Sequence, residues 1–167
     1  MLARLSGLAA LHQTYGVVGL TVSVYGEVVT RGKEKGIRDA DAVEAATTQG
    51  WLSVLELTAT EKRFAHTLMT NFRGLSRADC ETLACARERG LTLLMEERRG
   101  RNVARTYAIP YITIQVFPLY GLIQGSLSVT QCDALLVSIG QTIRTDLAVL
   151  EALRAAAREI GRTTRKE

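Results

Sequence analysis

The sequence predicts an α/β fold, a three-layer α/β/α sandwich with a mostly parallel sheet. Two observations carry this. Short apolar runs (VVGL, WLSVLEL, LTLLM, YITI) alternate along the chain with longer segments of helical period. Helix start and stop signals fall between them. Runs such as LTLLM are apolar throughout, as strands covered on both faces are. The 167 residues suit one domain, 1–167, with no linker, repeat or low-complexity tract.

The elements follow in order. Leu2, Leu5, Leu8 and Leu11, with Tyr15 four beyond, give a helix with one apolar stripe, and Gly16 stops it. Residues 17–20 form a short buried strand. Thr21 caps the next helix, whose apolar face is Val24, Tyr25, Val28 and Val29. RGKEKG, 31–36, is its solvated end and a loop. Asp39 opens a short helix through Ala46, and 51–57 is a strand. Thr58 with Glu61, and Ser76 with Asp79, have capping-box spacing. They open helices to about Phe72 and over 77–89, the second closed by Gly90. Residues 91–95 form an apolar strand, and a basic helix follows from about Arg99 to Tyr107. Residues 111–114 make the last strand. Helices fill 117–161, the longest from Thr145, and the tail from Arg162 frays.

Apolar residues make up 47% and aromatics 5%, so the core is aliphatic; the net charge of +4 favours an anionic partner. No window approaches the ~18 apolar residues of a membrane span, and residues 1–11 lack a signal peptide's apolar run. The expectation is a cytoplasmic protein with no membrane partner. Cys80, Cys85 and Cys132 have no zinc-site spacing and read as reduced, buried thiols.

Ligands in open parallel sheets gather at the carboxyl ends of strands. Glu96 and Glu97 stand at such an end, directly after LTLLM. Two readings are open for them: a site, or negative charge capping the next helix. Glu27 and Asp79 also have two readings each. Glu27 has Arg31 at i+4 as a surface partner, and Asp79 has a helix N-terminus to cap. Carboxylates from separate elements suit Mg²⁺ or Mn²⁺, which orient phosphates for in-line attack. No GxSxG, GxxxxGK[ST] or HExxH motif occurs.

The stretch LSRADCETLACARERGLTLLMEERRGRNVA, residues 75–104, resembles a segment of PIN-domain proteins. It carries acid-x-acid, an Ala-rich helix, glycine, a Leu-rich strand, an acid pair and then basic residues before Val-Ala. VVGLTVSVYGEVVTRG, residues 17–32, is similar to that family's strand, turn and glutamate-bearing helix, and Trp51 in QGWLSV matches a Gly-Trp of one subgroup. The resemblance covers nearly the whole chain, least specifically its last third. It implies a PIN-like fold and a metal site of Glu27, Asp79 and Glu96, with Glu81 and Glu97 as alternates. Glu96 replaces the usual aspartate and is one methylene longer.

PIN domains open with a strand ending in aspartate, just before a helix resembling LARLSGLAALHQ; this sequence starts inside that helix. A trimmed or misassigned start is one account, a degenerate remnant the other. In PIN domains that strand is central, so without it two strands face a gap, and an oligomer is expected.

The function implied is a divalent-metal-dependent endoribonuclease of toxin–antitoxin type, using Mg²⁺ or Mn²⁺, with a cognate antitoxin as partner. Arg98, Arg99, Arg101 and Arg105 would hold RNA phosphates or simply form a solvated helix face. The alternative is a catalytically inactive PIN-fold module that binds RNA or a protein.

Overall fold

The computed structural model describes residues 7–37 and 39–163, and it is a mostly helical α/β structure with short strands. Two compact units make it up. One spans residues 19–113. The other joins the N-terminal segment through Val18 to the chain from Ile114 on.

In the first unit, strand β1 (Val18–Thr21, its first residue in the other unit) leads straight into a helix. Thr21 caps it as its sequence position predicts, its hydroxyl accepting from the Val24 N–H at 3.4 Å. The helix is not uniform. One α turn, α2 (Val22–Tyr25), passes into a π segment (Gly26–Thr30) and then α3 (Arg31–Glu34). The Arg31 N–H reaches back to the Gly26 carbonyl, five residues earlier. A wide turn of this kind breaks the 3.6-residue register. Val29 is buried while Val28 is exposed, so the four-residue apolar face expected here is only partly realised.

Helix α4 (Asp39–Thr48) runs two residues beyond the expected Ala46, to β2 (Leu52–Leu55). Helices α5 (Ala59–Asn71) and α6 (Arg77–Arg89) start at true capping boxes. Gly90 closes α6 in the left-handed conformation, φ 63°, where a Cβ is strained. Strand β3 (Leu93–Leu94), helix α7 (Arg98–Thr106) and strand β4 (Tyr111–Ile112) complete the unit.

The strands are shorter than the apolar runs that announce them. Among the described residues they form two separate ladders, β1 with β2 and β3 with β4, where one sheet was expected. The β3–β4 ladder is parallel, with Leu93 opposite Tyr111 and Leu94 opposite Ile112. The core beside it is aliphatic: Leu68, Leu83, Leu93, Met95, Val103 and Ile109 pack with Cys80, Ala84 and Ala86 of α6. Phe64 and Phe72 meet Tyr107 edge to face at the core margin.

The second unit contains α1 (Gly7–Tyr15), α8 (Phe117–Ile123), α9 (Val129–Ile143) and α10 (Leu147–Thr163). Leu2 and Leu5 of the expected stripe, and the tail beyond Thr163, lie outside the described residues; Leu11 is buried. Leu122, Cys132, Leu136 and Ala157 form its core. Arg154 of α10 clamps Asp133 of α9 through two bonds of 2.7 and 3.0 Å, holding that carboxyl below its ordinary range.

Candidate active site

Asp79 stands in the first turn of α6 because Ser76 starts that helix. The Asp79 N–H donates to Ser76 Oγ at 3.0 Å, and the Ser76 N–H and Oγ donate back to Asp79 Oδ2 at 3.1 and 2.7 Å. All these bonds use Oδ2. The carboxylate is therefore pinned at the helix head with Oδ1 uncommitted among the described residues. The capping role is real and leaves one oxygen available, so the two readings of Asp79 are compatible. Glu81, two residues on, points elsewhere: it is buried and takes the Arg77 Nε at 2.7 Å. Cys80 lies between them, and burial, then the two flanking carboxylates, pushes its thiol up.

Glu96 and Glu97 differ despite being adjacent. Glu97 is the N-cap of α7, its Oε2 accepting from the Gly100 N–H at 2.8 Å. Glu96 is exposed, and Arg101 folds back on it, donating to its backbone carbonyl and approaching its Oε1 at 3.8 Å. Buried Met95 precedes the pair, so the acids begin where the apolar strand run ends. Glu27 lies in the π segment, exposed, with Arg31 at 4.0 Å from Oε1. At that distance on the surface the ion pair is weak.

The heads of α6 and α7 are tied together. Arg99 Nη1, from the first turn of α7, donates to the Gly74 carbonyl just before α6 at 3.3 Å. Asp79, in the first turn of α6, and Glu96, just before the Glu97 cap of α7, thus belong to segments linked by that bond. Glu27 is not shown to join them: among the described residues no three His, Cys, Asp or Glu side chains are grouped closely enough to hold a metal ion.

A family model described as a PIN domain matches residues 1–116. This chain is a member of the PIN-domain family. The match takes in the whole unit 19–113, and with it every candidate acid and arginine, and it ends as the second unit resumes at Ile114. No curated protein and no solved structure matches the chain.

In this PIN domain the four arginines of α7 do not form one free basic row. Arg101 is engaged with Glu96, Arg105 with the Asn102 side-chain oxygen, and Arg99 with Gly74; Arg98 has no partner among the described residues. The sequence does not single out Arg73. This arginine also makes no bond among the described residues, and it lines a depression of about 370 Å³ together with Arg99. The only signal was its place directly after a helix end, which marks a loop and nothing more.

Proposed function

We propose that the chain is a divalent-metal-dependent endoribonuclease of the toxin type, cleaving RNA phosphodiesters. The observation that supports it best is the Arg99–Gly74 bond, which links the first turn of α7 to the loop just before α6, the helix that carries Asp79. Helix N-termini favour bound anions, and the arginines reinforce this for a phosphate.

The donor chemistry fits a hard cation such as Mg²⁺ or Mn²⁺, since the candidates are all carboxylates. Glu27, Asp79 and Glu96 would hold it, which requires them to draw together on binding, since no three ligating side chains are grouped among the described residues. Glu81 and Glu97 rank behind them, because Arg77 and the Gly100 N–H already engage them. When bound, the ion supplies a nucleophile at neutral pH and neutralises charge on the phosphodiester. The protein's own groups do the rest: Ser76 aims Asp79, Arg101 steadies Glu96, and Arg98 and Arg99 bind flanking phosphates. The wider reading includes one functional domain, a cytoplasmic location, an antitoxin partner and a homo-oligomer, the last read by sedimentation.

A second reading, an inactive module that binds RNA or a protein, is favoured by the absence of a three-donor group among the described residues. One assay separates the two: RNA cleavage by the chain and by Asp79→Ala in Mg²⁺, Mn²⁺ or EDTA. The nuclease needs both metal and Asp79, and removing one ligand lowers cleavage by about 100-fold or more, several kcal/mol of transition-state stabilisation. The cap bond lost at the same time costs only about 1 kcal/mol, so the variant stays folded. Metal-independent cleavage, or full activity in Asp79→Ala, contradicts the mechanism.

A further inference from the structure

The depression beside α6 and α7 has a composition that points to a ligand. Its volume, about 370 Å³, lies at the lower end of the ~300–1,000 Å³ range of small-ligand sites. Its lining contains no acid. Arg73 contributes an unpaired guanidinium, and Arg99 is held in place by its bond to the Gly74 carbonyl with donors to spare. Asn102, whose oxygen accepts from Arg105, adds an NH₂ donor, and Asn71 and Thr106 complete the polar lining. The rim thus carries two guanidinium groups and no carboxylate, which favours an anion. Beneath it lie Phe72, Leu75 and Val103, an apolar floor. A phosphate carrying a flat apolar group matches both halves. Leu75 of the floor directly precedes the Ser76–Asp79 capping box, so an occupant sits next to the proposed cleavage site.

We propose that this depression binds one nucleotide of single-stranded RNA, its phosphate on Arg73 and Arg99 and its base or sugar on Phe72, Leu75 and Val103. The inference rests on the ribonuclease reading and adds a positioning site for the strand beside the scissile phosphate.

The test is binding of a fluorescein-labelled decauridylate by anisotropy, in EDTA so that no cleavage intervenes, across a NaCl series. Arg73→Gln should weaken binding about tenfold, the worth of one charge-assisted contact. It should also flatten the slope of log affinity against log salt by about 0.7, one phosphate contact on a single strand. The control is Arg63→Gln, the same charge change roughly 12 Å along α5 from Asn71 at the rim; it should alter affinity less than about twofold. Both side chains are exposed, so folding is preserved. Equal weakening by the two variants, no effect of Arg73→Gln, or no binding by the parent overturns the proposal. Metal-dependent cleavage is scored separately. Cleavage with Arg73-independent binding sinks the subsite and spares the nuclease; Arg73-dependent binding without cleavage does the reverse.

Discussion

Glu61 offers the sharpest test of how the first unit is held together. Its carboxylate is 1% exposed. It accepts from Arg89 Nε and Nη2 at 2.6 and 3.0 Å and from the Thr58 N–H at 2.7 Å, while Arg89 Nη2 also donates to the Glu56 carbonyl at 2.7 Å. One ion pair therefore joins the head of α5, the end of α6 and the segment leaving β2. The Arg89 guanidinium, opposed by burial and helped by the Thr58 bond, holds the Glu61 carboxyl at about 2 against an ordinary 4.5. That difference is worth at most about 3.5 kcal/mol, at roughly 1.4 kcal/mol per tenfold in proton affinity. Arg89 is 31% exposed, and water screens its side of the pair, which leaves about 2 kcal/mol. Because the folded carboxyl is the stronger acid, this stability is fully present above pH 4.5 and is lost as pH falls toward 2. Glu61→Gln keeps the shape and removes the charge. Urea unfolding followed through Trp51, the sole tryptophan, should show the variant's midpoint lower by about 1–2 M at pH 7. At pH 3 a little over half of that gap should have closed. A gap of equal size at both pH values, or none at pH 7, refutes the argument.

Two further outcomes follow from single residues. Gly74 has φ 87°, and a Cβ there would overlap Arg99 Nη1; Gly74→Ala should cost about 1–2 kcal/mol through backbone strain and release Arg99, measured as a lower melting temperature with weaker RNA binding. Burial pushes the Cys132 thiol up to about 11 and raises Cys80 and Cys85 as well. Iodoacetamide at pH 8 should leave all three unmodified in the native protein and alkylate them only in urea; rapid native labelling, read by mass spectrometry, would contradict their buried placement.

The sequence by itself determined what is local. The capping boxes at Thr58–Glu61 and Ser76–Asp79, the Thr21 cap and the Gly90 stop all form as their spacing requires, because each involves atoms within about one helical turn. Family membership was legible for the same reason: acids, glycine and apolar run follow one another in a fixed order over residues 75–104. Whatever depends on partners distant in sequence was decided by tertiary structure. Apolar runs mark strands but not which strands pair, so the two separate ladders were not visible. Helical period assumes 3.6 residues per turn, so the π segment that turns Val28 outward and carries Glu27 was hidden too. The α7 arginines looked equivalent by spacing. Only folding assigned Arg101 to Glu96, Arg99 to Gly74 twenty-five residues away, and left Arg73 unpaired, because long flexible cations take whichever acceptor the surrounding backbone presents.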